Sequence, residues 1–208
     1  EKKKIFIANN TVEICKKYSY NINSKKNSIL FVGTLYKEKK IFELINAFIE
    51  SKPLFPKNSD LKLHIIGDGP EFKNIKKIIN INSLENTIFL HGSIYDENIL
   101  SNYFKNALLC ISPDQAGLSV LKSMGYGVPF VTRFNAITGG ERFNILNKIN
   151  GLFYRDKNEL KEIIVKASIS PKIFVKMGYN ARQHYLTKAN PNNMSNEVLN
   201  AITFSLKS

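Results

Sequence analysis

The residues best suited to hold an anion follow a short apolar run, Ala107–Ile111. Pro113 stops that run, and Gly117, Leu118 and Ser119 then open a helical pattern. The first N–H groups of a helix lack partners within it and lie at the positive end of its dipole, so these three amides are suited to bind a phosphate. The alternative is an ordinary strand-to-helix turn with Ser119 near the N-cap, and the spacing alone does not separate the two.

A lysine pair, Lys39 and Lys40, follows another apolar run, Ser28–Val32, and its Gly33. The pattern predicts that these lysines lie at the start of a helix, where a cation opposes the helix dipole unless an anion lies between them. The alternative is a solvated lysine cluster, which is the usual role of such a charge run.

Several other kinds of chemistry are disfavoured. The three histidines, His64, His91 and His184, have no metal-ligand spacing, and Cys15 and Cys110 form no C-x-x-C. There is no Asp-x-Asp, no Walker loop, no Gly-x-Ser-x-Gly, and no Gly-x-Gly-x-x-Gly after the first strand. The sequence therefore predicts no metal site and no bound cofactor, and it assigns His64, in mid-strand, a structural role.

The elements that position these residues alternate between short apolar runs and amphipathic stretches. The strands are predicted at Ser28–Val32, Leu61–Ile66, Thr87–Leu90, Ala107–Ile111, Val128–Val131 and Gly151–Tyr154. The helices are predicted at 39–50, 71–80, Glu97–Lys105, Leu118–Met124 and Asn158–Ala167, followed by a helical tail to Lys207 broken near Ala189-Asn190-Pro191. This order predicts an α/β, Rossmann-like parallel sheet with helices on both faces and ligands at the carboxyl ends of its strands.

Composition sets further bounds. The 208 residues are 43% hydrophobic, enough for a core, and contain no apolar run long enough to span a membrane. Thirty basic and seventeen acidic residues give a net charge of +13, but only four of the thirty are arginine and the lysines are scattered. This pattern argues against a nucleic-acid partner and leaves open a peripheral contact with an anionic membrane.

An ordered set of motifs carries a family resemblance. Gly33-Thr34-Leu35, Glu38-Lys39, Gly67-Asp68-Gly69-Pro70 and the stretch from Gly117 to Pro129 resemble the C-terminal half of group 1 (family 4) glycosyltransferases. These are GT-B enzymes with two Rossmann-like domains, of which the C-terminal one binds a nucleotide-sugar. The resemblance implies an inter-domain segment at 1–27, a nucleotide-sugar-binding domain at 28–170 and C-terminal helices at 171–208. It also implies an N-terminal GT-B domain that this sequence lacks.

The resemblance also implies roles for individual residues. Lys39 matches the basic residue that contacts the donor diphosphate, and the amides of Gly117, Leu118 and Ser119 match those that hold the same phosphates. The loop containing Ser93 and Ile94 resembles the region against the base. The remaining donor-binding positions that it implies are Gly33, Thr34 and Gly67.

Three departures bear on the donor site. Thr34 stands where the family usually has arginine, which removes a phosphate cation. The family's paired glutamates become Asp114, a shortened candidate for contacting the donor sugar, and Lys122, which cannot accept hydrogen bonds from ribose. Lys122 then either reaches a phosphate or points to solvent. Glu141, in a glycine-containing loop, is either part of the donor pocket or paired with Arg142.

The expected function is therefore donor binding in a retaining, metal-independent glycosyltransferase that transfers a sugar to a saccharide or lipid-linked acceptor. The setting implied is bacterial surface-polysaccharide synthesis, such as capsule or lipopolysaccharide, in the cytoplasm or at the inner face of the membrane. The catalytic candidates are Lys39, Asp114 and Lys122. Two alternatives remain: a degenerate nucleotide-binding or scaffold module, and a basic binder of nucleic acid or anionic membrane.

Overall fold

A computed structural model describes residues 4–206 and shows a single six-stranded sheet with every neighbouring pair of strands parallel. The strands, in chain order, are β1 Ser28–Val32, β2 Lys62–Ile66, β3 Ile88–Leu90, β4 Ala107–Ile111, β5 Phe130–Arg133 and β6 Gly151–Tyr154. Their order across the sheet is β3-β2-β1-β4-β5-β6. The predicted Rossmann-like α/β fold is confirmed.

Seven α-helices accompany these strands within residues 4–206. They are α1 Ile41–Ser51, α2 Phe72–Ile81, α3 Glu97–Asn106, α4 Ser119–Gly125, α5 Lys157–Ile169, α6 Pro171–His184 and α7 Pro191–Ser205. A π-helical turn, Tyr185–Ala189, follows α6, and the Asn190 side chain then caps α7 by accepting a hydrogen bond from the Asn193 amide at 3.0 Å. The predicted helical tail and its break are therefore confirmed for the described residues, although Lys207 lies outside them.

The strands are apolar on both faces because the sheet is covered on both sides. In β1, Ile29 and Phe31 point into one core, which also contains residues of α1, α2 and α5, whereas Leu30 points into the other. That second core is built by α3, α4 and α6. Alternate residues of one strand thus serve two different cores, and this explains why the strands are continuously hydrophobic in the sequence.

Several element boundaries differ from the predictions by one or two residues, and two of these differences have a local backbone cause. Lys37–Lys39 form a 3-10 turn and α1 begins only at Ile41, because Lys40 adopts a left-handed conformation with φ of +50°. The fifth strand begins at Phe130 rather than Val128. The Val128 amide instead bonds the Ser123 carbonyl at 3.0 Å, and Pro129 has no N–H to donate.

The segment before β1 contains no helix or strand over residues 4–27, and side-chain hydrogen bonds attach it to the domain. The Tyr18 hydroxyl donates to the Tyr126 carbonyl at 2.8 Å, and the Tyr185 hydroxyl donates to the Val12 carbonyl at 2.7 Å. Its role as an inter-domain segment, like the boundaries at 27 and 170, stays a prediction. Residues 1–3 of the predicted segment and 207–208 of the predicted tail lie outside the described residues.

The order of the strands locates the place where a ligand is expected. Successive strands are added outward from β1 on one side and from β4 on the other, so the order reverses between β1 and β4. In such sheets the connecting loops leave in opposite directions at this switch point and open a crevice at the carboxyl ends of the strands. The loop after Val32 and the loop after Ile111 border that crevice.

Candidate functional site

Two lysines join the loops on either side of the switch point. The Lys39 ammonium donates a short hydrogen bond to the Gln115 carbonyl, and Lys40 Nζ lies 2.6 Å from Asp114 Oδ2. Both Lys40 and Gln115 have a φ of +50°, a left-handed conformation that is costly for residues other than glycine. The two lysines are therefore engaged with the facing loop and do not form a solvated cluster.

Asp114 is the most completely bonded carboxylate of this crevice. Besides Lys40, it accepts hydrogen bonds from the Gln115 amide at 2.9 Å and the Ile137 amide at 2.7 Å, and the residue is only 4% exposed. Burial raises its pKa, but the hydrogen bonds from Lys40 and the two amides outweigh burial and leave the pKa lowered. Asp114 thus holds the loops after β1, β4 and β5 together, and little of it remains to face a sugar.

The predicted anion-binding amides are free. Within residues 4–206 the N–H groups of Gly117, Leu118 and Ser119 make no hydrogen bond, and α4 begins at Ser119. A Cβ placed on Gly117 would have no neighbouring atom within 4 Å. Burial lowers the pKa of Lys39 more than the charge of Asp114 raises it. Free donors, open space and a cation that lies close to the same loop therefore coincide here.

Gly33 and Gly67 have a structural role that their sequence context did not reveal. Gly67 has a φ of +150°, and a Cβ placed on it would lie 1.8 Å from the Gly33 carbonyl oxygen. The Gly67 amide also donates to the Gly92 carbonyl at 2.8 Å. The loops after β1, β2 and β3 are thus in backbone contact, which only glycine permits here. Two other predicted positions, Thr34 and Ser93, are exposed nearby, and Ile94 packs partly against the core.

Lys122 does not point to solvent, and its contact with a phosphate stays a prediction. Its ammonium forms a short ion pair with Glu97 Oε1, and its side chain is 19% exposed. The other carboxylate oxygen of Glu97 accepts a hydrogen bond from the Tyr126 hydroxyl at 2.9 Å, and that hydroxyl in turn accepts from the Cys15 amide at 2.9 Å. Lys122 is therefore part of a network between α3 and α4 and does not extend into solvent.

Glu141 is buried and is not paired with Arg142 among the described residues. Its Oε1 accepts a hydrogen bond from the Asn10 side chain at 2.9 Å, whereas Arg142 donates to the Phe134 carbonyl at 2.7 Å. The ion-pair alternative is therefore wrong. Glu141 connects the loop after β5 to the segment before β1, and its place in a donor pocket stays a prediction.

Sequence reasoning missed an ion pair close to the same edge of the sheet. Arg133, at the end of β5, pairs with Glu43 in the first turn of α1, and Glu43 Oε1 accepts a hydrogen bond from the Tyr154 hydroxyl at 2.7 Å. Burial lowers the pKa of Arg133, but Glu43 and Tyr154 together outweigh burial and leave the pKa raised. In the sequence, this pair is visible only as an arginine at the end of a strand and a glutamate in the first turn of a helix. Charged residues are too common at such positions to predict an ion pair.

The profile of the family described as glycosyl transferases group 1 matches residues 15–184, which is most of the chain. This chain belongs to the group 1 glycosyl transferases. The match includes both loops that border the crevice, so the predicted resemblance is confirmed at the level of the family.

Individual relatives of this group 1 domain are distant. The alpha-monoglucosyldiacylglycerol synthase of Acholeplasma laidlawii is 24% identical over 157 residues, covering 73% of this chain and 37% of that protein. The poly(glycerol-phosphate) alpha-glucosyltransferase of Bacillus subtilis (strain 168) is 33% identical over 115 residues, covering 54% and 16%. The chain thus spans well under half the length of these curated relatives.

Solved structures share the fold. S. aureus TarM, in a complex with fondaparinux, alpha-GlcNAc-glycerol and UDP, superimposes with a TM-score of 0.76 at 21% identity. The alignment covers 95% of this chain and 39% of that chain. At this identity the likeness establishes that the two proteins share a fold.

One cavity of the group 1 domain, of about 620 Å³, lies away from the crevice. It is lined by residues of β6, α5 and α6, among them Phe153, Glu162 and Met177, and contains none of the predicted site residues. Within residues 4–206, no three potential ligands are grouped as a metal would require. No helix in that range is long and apolar enough to cross a membrane.

Proposed function

We propose that this chain is the donor-binding domain of a retaining, metal-independent glycosyltransferase that transfers a sugar from a nucleotide-sugar to a saccharide or lipid-linked acceptor in polysaccharide synthesis. The observation that carries the proposal is the set of free N–H groups at Gly117, Leu118 and Ser119, on the loop to which Lys39 is bound at the switch point. Such a site suits a diphosphate. The nucleotide-sugar is the substrate, and the proposal involves no cofactor.

In the proposed reaction the bond from the anomeric carbon to the diphosphate oxygen breaks, and the acceptor oxygen forms a new bond to that carbon on the same face. The departing phosphate oxygen takes the acceptor proton. Negative charge accumulates on the diphosphate, where Lys39 and the free amides stabilise it. Asp114 and Lys40 act indirectly, because their ion pair fixes the loop that carries those amides.

The acceptor and the rest of the enzyme also belong to the proposal. The two curated relatives are named for a diacylglycerol product and for poly(glycerol-phosphate), and both are considerably longer than this chain. This difference in length supports a partner domain that binds the acceptor, as in two-domain GT-B enzymes. We further propose that the reaction takes place in the cytoplasm, at the inner face of the membrane. Without that domain the chain should bind donor yet turn over poorly, because catalysis requires the acceptor to be held nearby.

Calorimetric titration of the chain with UDP, GDP and ADP at two salt concentrations tests the proposal. Micromolar to millimolar binding of one nucleotide that persists in added salt would support a donor site and name its base. Equal binding of all three that salt abolishes would instead indicate that the +13 charge acts without a specific site. The absence of binding would favour a degenerate module.

A further inference from the structure

Glu97 is a carboxylate that two donors orient while much of it remains accessible. Lys122 bonds Oε1 and the Tyr126 hydroxyl bonds Oε2 at 2.9 Å, yet the Glu97 side chain is 41% exposed. A carboxylate offers about four lone-pair positions, of which these two bonds use only two. Glu97 can therefore accept further hydrogen bonds from a ligand without losing either anchor.

Its position in the fold suggests which ligand group these would be. Glu97 opens α3, directly after the loop with Ser93 and Ile94, and its partner Lys122 belongs to α4, directly after the loop with the free amides. If the base of a nucleotide lies against the first loop and its diphosphate against the second, the ribose must pass between them. The vicinal hydroxyls of ribose are hydrogen-bond donors, for which a carboxylate is the usual partner in Rossmann-like folds.

Several other carboxylates of the crevice are committed to the fold. Asp96 accepts hydrogen bonds from the amides of its own helix, and the buried Asp114 is bonded by Lys40 and two amides. The Glu43 side chain binds Arg133 and Tyr154 and is only 16% exposed, while Glu141 is buried with Asn10. Glu97 differs from these four because it combines two anchoring donors with an accessible face.

We propose that Glu97 binds the ribose hydroxyls of the donor nucleotide and that Lys122 is the positioning residue that orients it. The inference rests on the proposed function, since it concerns the same ligand. It also accounts for Lys122, whose ammonium cannot accept a hydrogen bond from ribose. The hydrogen-bond acceptor for ribose is then Glu97 of α3, which Lys122 of α4 holds in place.

The test compares UDP with 2′,3′-dideoxy-UDP, by calorimetry on the whole chain. Wild type should bind UDP about 10- to 100-fold more tightly, which is the usual effect of removing hydrogen bonds to a charged group. In Glu97→Gln this ratio should fall to within a few-fold of unity, with the affinity for dideoxy-UDP little changed. Glu85→Gln, a loss of the same charge at an exposed position before β3, should keep the wild-type ratio.

Lys122→Met separates positioning from phosphate binding. A positioning lysine predicts a smaller ratio with the dideoxy-UDP affinity preserved, whereas equal loss for both ligands would mean that Lys122 binds phosphate and would overturn its assignment. The exchanged pair Glu97→Lys with Lys122→Glu should recover part of the ratio, because it returns a carboxylate to the same network.

Two results distinguish the inference from the proposal beneath it. If wild type binds UDP and the ratio is near unity, or if Glu97→Gln keeps the wild-type ratio, the ribose assignment is wrong while the donor site stands. If wild type binds none of UDP, GDP or ADP, the proposed function itself fails and the inference fails with it. Thermal unfolding of each variant identifies any that do not fold.

Discussion

Lys26 permits a quantitative prediction about stability, because it is a buried lysine with no carboxylate partner among the described residues. The residue is 9% exposed, and its Nζ donates to the Lys105 and Ala107 carbonyls, each at 3.1 Å, where α3 ends and β4 begins. Burial lowers its pKa from 10.5 to about 8. A neutral amine keeps two N–H donors, so loss of the proton need not break either bond.

The direction of the pH effect follows from proton binding. Between pH 8 and 10.5 the unfolded chain holds the Lys26 proton and the folded chain has released it, so stability rises with pH over this range. At about 1.4 kcal/mol for each pKa unit, the full effect is roughly 3 kcal/mol, of which about 1.4 kcal/mol is gained by pH 9. Below pH 8 both states are charged at Lys26, and the cost of burying the ammonium remains.

The assay is urea unfolding of wild type and Lys26→Met, followed by circular dichroism at pH 7, 8 and 9. The free energy of unfolding of wild type, minus that of the variant, should rise by about 1.4 kcal/mol between pH 7 and 9. Taking the difference cancels the pH dependence contributed by groups that both proteins share. One such group is Cys110, whose burial raises its pKa to about 12, so that its titration makes stability fall as the pH rises. A difference that stays constant with pH would show that Lys26 titrates normally and would refute the reasoning.

Three further substitutions test the crevice. Gly117→Ala should leave the thermal unfolding midpoint unchanged, because the new Cβ would have no neighbouring atom within 4 Å. The same substitution should weaken UDP binding by about tenfold or more. Unchanged UDP binding would mean that the phosphates bind elsewhere. Gly67→Ala should lower the free energy of unfolding by more than about 3 kcal/mol in urea titrations, because its Cβ would overlap the Gly33 carbonyl; a near-neutral result would contradict that packing. Lys39→Ala should weaken UDP binding by about tenfold and reduce the salt dependence of that binding, as measured by calorimetry. The control Lys37→Ala, which removes an exposed neighbouring lysine, should have neither effect. Equal effects of the two substitutions would reject a specific role for Lys39.

The fold was predictable from the sequence because its signals are local. Each strand centre is a short apolar run bounded by turn residues, and the helices α1 to α6 contribute hydrophobic residues to the two cores. The starts of α1 and β5 were predicted wrongly because they depend on the backbone conformation and hydrogen bonding of single residues. Lys40 gives no sign in the sequence of its left-handed backbone, and only the structure shows that the Val128 amide bonds Ser123 and not a neighbouring strand.

The site was less predictable, because its side chains are paired across the chain. The positions of Lys39 and the amides at 117–119 follow from strand ends and a family motif. The partners of Asp114 and Lys122 do not, since Lys40 and Glu97 come from other loops and no local pattern links them. In the sequence Lys122 is an isolated departure from the family pattern, whereas in the structure it forms half of an ion pair.

The pairing of the crevice lysines determines which of them can respond to a ligand. Lys40 and Lys122 are each neutralised by a carboxylate, Asp114 and Glu97, and a diphosphate would have to compete with that charge. Among residues 4–206, the only hydrogen-bond acceptor of the Lys39 ammonium is the neutral Gln115 carbonyl. The ammonium can therefore bind a phosphate oxygen with its remaining donors, or exchange this carbonyl for the stronger phosphate acceptor. The positive charge available to a donor therefore resides on Lys39. For this reason donor affinity should depend on one lysine of the three, and only weakly on the overall charge of +13.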